Sequence, residues 1–180
     1  MAQNSTLSVE NMLIRHATID DAANLSALAT QVWLQTYATG GINSTISKYV
    51  HFEFRTERFE SRLCAPLSVV LIAEIGTNII GYAWVTMSTN CPQATKARAE
   101  LATLYVQEPF VGRAVGSSLL KQGESWAQIV GDTFLWLTVN SKNHRAIAFY
   151  MRRGYEKIGV THFRLGNELH ENYVLSRQYA

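Results

Sequence analysis

Two glycines, Gly112 and Gly116, flank a short basic segment whose residue types suit the binding of an anion. Arg113 stands between them, a predicted strand ends before the pair, and a predicted helix follows it. Small residues let backbone N–H groups turn towards an anion, and a helix N-terminus adds roughly half a positive charge there. The segment could hold a pyrophosphate, although glycines at this spacing are also common in simple tight packing.

The segment matches neither of the common nucleotide-binding loops. A P-loop requires Lys followed by Ser or Thr after its second glycine, whereas Ser117 follows Gly116 here. The dinucleotide fingerprint starts with Gly-x-Gly, and this loop lacks that start and lies late in the chain. A general nucleotide-binding α/β domain stays open as an alternative, to be recognised by tight binding of ATP but not of coenzyme A.

A second segment downstream makes the identification more specific. Its characteristic residues are Asn143, Ala146, Ile147, Phe149, Tyr150, Gly154 and Tyr155. Together with the ungapped segment 106–120, it resembles the GCN5-related N-acetyltransferase (GNAT) family, whose members move an acetyl group from acetyl-CoA to an amine. The resemblance covers residues 11–178. The loop departs from the family pattern at Val111 and Ala114, with its proline displaced to Pro109, so we expect weakened rather than abolished cofactor binding.

The resemblance implies acetyl-CoA as cosubstrate, with no metal. The pantetheine arm would pair with strand backbone, and the pyrophosphate would lie in the glycine loop. The implied cofactor-binding residues are Leu104, Tyr105, Val106, Val111, Gly112, Arg113, Ala114, Val115, Gly116, Ser117, Asn143 and Arg153. Asn143 is equally suited to cap a helix. Arg145 and Arg152 are further candidates for the phosphates, but each also fits a solvated surface charge.

Tyr150 is the first candidate for the chemistry. The resemblance places it near the sulfur of coenzyme A, where its hydroxyl would donate a proton to the departing thiolate. A tyrosine has a pKa near 10 and therefore stays protonated until charge develops on sulfur. The alternative is an aromatic side chain of a helix that simply packs on the sheet.

Glu100 is the candidate general base. Strand alternation predicts that it shares one face with Ala102, Leu104 and Val106, and a carboxylate on an otherwise apolar face should have a raised pKa. Histone-acetylating relatives carry their base at the corresponding strand position. A glutamate that faces water, or that binds a cationic substrate without taking its proton, is the alternative.

The acceptor pocket should come from the first helices and from the strand end at 82–91. Trp33, Tyr37 and Trp84 are the candidate lining residues, since aromatic faces suit an organic cation, although ordinary core packing explains them equally well. The C-terminal segment also resembles the bacterial spermidine/spermine acetyltransferase branch, which would bring His162 near the site. Asn172 stands where that branch has an acidic residue, which weakens the case for a polyamine.

The element order predicted from periodicity is β-α-α-β-β-β-α-β-α-β-β. It implies a mixed, mostly antiparallel seven-stranded sheet with helices on both faces, the fold that the resemblance also implies. The helices are predicted over 19–37, from a Ser44 cap to about 63, 114–130 and 143–154. Gly76 and Thr77 start a hairpin turn, and the strand at 133–139 has almost no polar side chain, as expected when both faces are covered.

Composition sets the remaining bounds. With 180 residues, 47% hydrophobic and 17% charged, the chain predicts a single domain over 11–180 with a flexible tail at 1–10. A net charge of +2 argues against nucleic acid, no apolar run is long enough for a membrane helix, and the five histidines are too scattered for a metal site. Two cysteines not spaced as a metal pair favour a reduced, cytoplasmic location. The resemblance leaves a homodimer open, since members of the family often dimerise through their final strands.

Three functions remain open. The leading one is acetyl transfer to a primary amine of a small molecule, with a polyamine as one option. A protein or peptide amine, or an amine-bearing antibiotic, could be the acceptor instead. The chain could also be a non-catalytic acyl-CoA-binding module that regulates a partner, but the presence of both Tyr150 and Glu100 argues against it.

Overall fold

A seven-stranded sheet forms the centre of the protein. The computed structural model describes residues 11–87, 90–93 and 97–179. The strands are β1 (Leu13–His16), β2 (Ser68–Ile75), β3 (Asn78–Met87), β4 (Ala99–Val106), β5 (Phe134–Asn140), β6 (Glu156–Leu165) and β7 (Glu168–Gln178). Their order is β1-β2-β3-β4-β5-β7-β6, and the β4–β5 pair is parallel while the others are antiparallel. The predicted fold class is confirmed, and the predicted tail at 1–10 lies outside the described residues.

Helices cover both faces of this sheet. They are α1 (Ala22–Tyr37), α2 (Ser44–Glu53), α3 (Thr56–Leu63), α4 (Val115–Ile129) and α5 (His144–Met151). The core on one face joins α4 and α5 to the sheet, as in the packing of Leu119 and Tyr150 with Leu101. The core on the other face joins α1, α2 and α3 to strand residues such as Ile72 and Tyr82. No helix in the described part of the chain is long and apolar enough to cross a membrane.

The long second helix predicted from Ser44 to about residue 63 is wrong, because the chain breaks it into α2 and α3. Arg55 adopts an extended conformation, with φ −65° and ψ 148°, and the hydroxyl of Ser26 donates to the freed carbonyl of Phe54. The break lets both Phe54 and Phe59 reach the core. The cap of α2 also differs by one residue, since the Asn43 side chain accepts from the Ile46 N–H at 3.0 Å.

Asp132 ties the beginnings of β4 and β5 together. Its buried carboxylate accepts hydrogen bonds from the backbone N–H groups of Arg98 at 2.8 Å, Ala99 at 2.6 Å and Phe134 at 3.1 Å. One side chain thereby satisfies the buried N–H of Ala99 and two partly buried N–H groups. It does so at the only end where these two strands meet within the described residues.

Substitution of Asp132 should therefore destabilise the fold. Asp132→Ala leaves one buried and two partly buried donors without an acceptor, so we expect the free energy of unfolding to fall by about 2–4 kcal/mol. Asp132→Asn keeps one acceptor oxygen, so its free energy of unfolding should lie between those of the wild type and Asp132→Ala. Urea unfolding measures both, with Asp20→Ala as an exposed control. A loss below about 0.5 kcal/mol for Asp132→Ala would contradict this role.

Candidate active site

A cleft of about 600 Å³ opens where β4 and β5 part. The two strands pair at two positions, Ala99 with Leu135 and Glu100 with Trp136. The cleft is lined by Trp33, Thr36, Tyr37, Thr39, Tyr49, Leu101, Ala102, Thr103, Leu104, Tyr105, Thr138, Val139, Asn140, Lys142, Asn143, Ala146, Tyr150, Phe163, Leu165, His170 and Asn172. A wedge-shaped gap inside a continuous sheet gives a ligand access to backbone groups that a complete ladder would occupy.

The cleft has walls from both faces of the sheet. Leu104, Ala146 and Tyr150 belong to the packing of the α4–α5 side, whereas Trp33 and Tyr105 belong to that of the α1–α3 side. Two ligands could therefore approach the same point from opposite faces.

A β-bulge in β4 shifts the alternation of side chains. Leu101 pairs with Val85 and Thr103 with Trp84, so Ala102 has no partner of its own on β3. Leu101 and Leu104 consequently pack on the same face although they are three positions apart in the sequence. The prediction that Glu100 shares a face with Leu104 is therefore wrong, since it assumed an uninterrupted period of two.

Glu100 instead lies on the face of the sheet that the α1–α3 side covers, which we call the acceptor-side face because the acceptor pocket is predicted there. Its neighbours Ala99 and Leu101 point into the α4–α5 core, and its register partner Trp136 belongs to a separate cluster on the other face. Glu100 is half-buried and is not among the residues that line the cleft. It stands at the point of the wedge, just before the strands part.

The predicted pyrophosphate loop forms the turn before α4. Gly112 has φ +80° and Ala114 has φ +63°, and Ala114 provides no side-chain cap for the helix. The first N–H groups of a helix have no helical acceptors, so those of α4 are available to an anion. A Cβ on Gly116 would lie 3.6 Å from both the Val106 side chain and the Phe149 ring, which places the loop against β4 and α5.

Among the arginine candidates, Arg153 is fixed beside this loop. Its guanidinium lies 3.7 Å over the Phe149 ring, donates to the Phe149 carbonyl at 2.9 Å and bonds to the Ser117 hydroxyl. Arg145 instead forms a bidentate ion pair with Glu108 at 2.7 and 2.9 Å. Arg113 and Arg152 are exposed, and neither lines the cleft.

Tyr150 and Asn143 both reach the cleft from α5. Tyr150 is buried, and burial raises the pKa of its hydroxyl above the usual value. Its ring packs edge-on against Phe149 and Tyr155 at 5.1 and 5.6 Å between centroids. Asn143 caps α5, since its side chain accepts from the Ala146 N–H at 3.1 Å. The capping role and a position in the cleft thus coexist in one residue.

Two of the three predicted acceptor residues, Trp33 and Tyr37, line the cleft, but Trp84 does not. Trp84 turns towards α3: its indole N–H donates to the Ser68 hydroxyl at 2.7 Å, and the Arg62 guanidinium lies 4.5 Å above its ring. His162 is also outside the cleft wall, and of the predicted strand-end segment 82–91, residues 88 and 89 lie outside the described residues.

Sequence reasoning missed the other aromatic members of the wall. Tyr49 comes from α2 and Phe163 from β6, and their rings meet edge-on at 5.6 Å. His170 and Asn172 join them from β7. For Phe163, the available signal was strand alternation, which puts it on the opposite face from the exposed His162. Nothing local marked Tyr49, because its contact with Phe163 joins distant segments.

These features agree with the match to known proteins. The model of the acetyltransferase (GNAT) family matches residues 31–155, and the chain belongs to that family. It is therefore an enzyme of the N-acetyltransferase class, as the sequence predicted.

Three curated relatives cover most of the chain. An uncharacterised N-acetyltransferase of Mycobacterium tuberculosis is 28% identical over 158 residues, 88% of this chain and 97% of that protein. The aminoalkylphosphonate N-acetyltransferase of Salmonella typhimurium is 25% identical, covering 87% and 90%. The spermidine N(1)-acetyltransferase of Thermoplasma acidophilum is 23% identical, covering 79% and 87%.

Solved structures share the fold. The PaiA N-acetyltransferase of Thermoplasma acidophilum, in complex with coenzyme A, has a TM-score of 0.76 at 21% identity, covering 93% of this chain and 99% of that one. A Salmonella typhimurium structure described as a putative acetyltransferase with acetyl-CoA has a TM-score of 0.71 at 20% identity, covering 95% of each chain.

The left-handed conformation of Ala114 gives a prediction for the loop. A non-glycine residue there costs about 1–2 kcal/mol, while glycine costs about 0.5–1 kcal/mol in chain entropy. Ala114→Gly should thus raise the free energy of unfolding by up to about 1 kcal/mol and bind acetyl-CoA at least as tightly. Ala114→Val should lower both stability and affinity, because a β-branched residue fits this conformation poorly.

Urea unfolding and titration calorimetry with acetyl-CoA measure these effects. Ala27→Gly, on the exposed side of α1, is the matched control and should destabilise by about 1 kcal/mol. If Ala114→Gly destabilises the protein as much as the control does, Ala114 does not adopt the left-handed conformation in solution.

Proposed function

We propose that the protein transfers the acetyl group of acetyl-CoA to the primary amine of a small molecule by direct attack on the thioester. One observation carries the proposal: a cleft that crosses the sheet, with a loop of free helix N–H groups on one side and an aromatic wall on the other. The solved structures that share this fold and hold coenzyme A or acetyl-CoA support the cosubstrate.

The cofactor would bind along the open edge of β4. Past Glu100 this strand faces the wedge instead of β5, so the backbone of Leu104, Tyr105 and Val106 is free to pair with the pantetheine amides as an added strand would. The pyrophosphate would lie on the N–H groups at the start of α4, with Arg153 fixed beside them.

The reaction would take place where the two sides of the cleft meet. The neutral amine attacks the thioester carbon and forms the C–N bond, and a backbone N–H group at the β4 bulge would donate to the carbonyl oxygen. The C–S bond then breaks, and Tyr150 donates its proton to the leaving thiolate. The raised pKa of Tyr150 keeps this proton in place until the thiolate forms.

Removal of the proton from the amine is assigned to Glu100 acting through water. The carboxylate sits on the acceptor-side face at the point of the wedge, outside the cleft lining. This position supports indirect rather than direct proton transfer. A cytoplasmic location and a homodimer stay predictions from the sequence.

Tyr150→Phe tests the proton donor. We expect kcat to fall about 10²–10³-fold with little change in acetyl-CoA affinity, because the ring that packs against Phe149 and Tyr155 is kept. Stopped assays of released thiol and calorimetry measure the two quantities. Tyr173→Phe, on a tyrosine outside the cleft lining, should leave kcat unchanged. An unaltered kcat for Tyr150→Phe would remove this residue from the chemistry.

Glu100→Gln tests the base. If the carboxylate takes the proton through water, the acidic limb of the kcat/KM pH profile should disappear and kcat/KM near neutral pH should drop about 10²-fold. The profile of the wild-type enzyme, recorded with the same amine, is the reference. An acidic limb that survives intact in the variant would show that another group accepts the proton.

A further inference from the structure

The acceptor-side wall of the cleft is built mainly from aromatic rings. The Trp33 and Tyr49 rings stack at 4.8 Å between centroids, with an interplanar angle of 30°. Phe163 stands edge-on to Tyr49, and Tyr37 is tilted against Trp33 at 5.1 Å. These contacts hold the rings of three separate elements in one surface, which a flat apolar group could join by further ring packing.

None of the described residues that line the cleft carries a negative charge, and Glu100 lies outside this lining, at the point of the wedge. Of the described residues that line the cleft, none is an aspartate or a glutamate, and Lys142 is a cation. The nearby Glu53 is already paired with Arg58 and Arg62. Glu168 approaches the His170 Nε2 atom to 3.5 Å, too far for a good hydrogen bond, and its side chain is 80% exposed.

Only part of this wall is poorly solvated. Trp33 is buried, and burial as the main cause raises the pKa of Tyr49 to about 12, whereas Tyr37 is 40% exposed. An environment that disfavours a phenolate for lack of solvent equally disfavours an ammonium group that has no counter-ion.

The path away from the cleft is no more favourable to cations. A shallower groove shares Tyr49 and Leu165 with the cleft and is otherwise lined by Thr45, Lys48, Phe52, Gly166 and Asn167. The far end of a long acceptor would therefore meet the ammonium group of Lys48, with no carboxylate among the described lining residues of this groove.

We propose that the acceptor is a primary monoamine carried on an aromatic ring or a similarly flat apolar body, and that polyamines are poor acceptors. The inference rests on the proposed acetyltransferase function. A polyamine that presents one neutral amine keeps further ammonium groups, each of which would have to leave water without a carboxylate partner. A ring attached to a single amine adds no such charge and gains packing against Tyr49 and Phe163.

A direct comparison of acceptors tests the proposal. Thiol release from acetyl-CoA is measured with 2-phenylethylamine, hexylamine and spermidine at the same pH. We expect kcat/KM for 2-phenylethylamine to exceed that for spermidine at least tenfold, with hexylamine in between. Equal or higher kcat/KM for spermidine would overturn the proposal.

An isosteric charge change tests the cause. Asn172→Asp introduces a carboxylate into the cleft wall and should raise the ratio of kcat/KM for spermidine over 2-phenylethylamine at least fivefold. Asn24→Asp, an exposed position outside the cleft lining, adds the same charge and should leave the ratio unchanged. An unchanged ratio for a folded Asn172→Asp enzyme would contradict the electrostatic argument, and the wild-type comparison stands if this variant fails to fold.

Calorimetry with acetyl-CoA distinguishes failure of the acceptor inference from failure of the proposed function. If acetyl-CoA binds but none of the three amines releases thiol, the acceptor inference fails while cofactor binding stands. If acetyl-CoA does not bind, the proposed function fails, and the acceptor inference fails with it.

Discussion

The parallel strands β4 and β5 pair at only two positions, and the cleft opens where they part. Asp132 holds the starts of β4 and β5 together through three backbone N–H groups, and past Glu100 the strands part. On either side, antiparallel partners keep each strand in place. The sheet therefore stays continuous while it leaves backbone groups open in its middle, and the cosubstrate would occupy the gap that a complete parallel ladder would close.

The bulge at Ala102 determines which face of the sheet each later side chain of β4 occupies. By adding one residue to β4, it turns Leu104 towards the α4–α5 core and Tyr105 towards the opposite layer. The same shift keeps Glu100 on the acceptor-side face. Bulges re-aim side chains at functional sites in this way, and in the proposed reaction the two faces of β4 would serve the cofactor and the acceptor.

What the sequence predicted well depends on contacts within short segments. The hairpin turn at Gly76, the cap of α5 by Asn143 and the loop before α4 each follow from neighbouring residue types. The break between α2 and α3 did not, because it depends on the Ser26 hydroxyl meeting a carbonyl 28 residues away. The prediction of the acceptor-side lining was incomplete for the same reason. Trp84 contacts Arg62 instead of the cleft, and Phe163 contacts Tyr49 from a strand distant in sequence. Periodicity identifies an aromatic residue as buried, but it does not show which distant element its side chain packs against.

The lack of a carboxylate among the described residues that line the cleft also bears on the chemistry of the amine. A lysine-like amine is only about 0.04% neutral at pH 7, and each unit by which its pKa falls raises that fraction about tenfold. A carboxylate in direct contact would raise the pKa of the amine and keep it protonated, whereas burial of the amine away from water lowers its pKa. Placing Glu100 outside the cleft lining, with aromatic rings at the reacting nitrogen, would therefore favour the nucleophilic form of the amine. The absence of an acidic residue from the described wall then serves both selectivity against polyamines and activation of the acceptor.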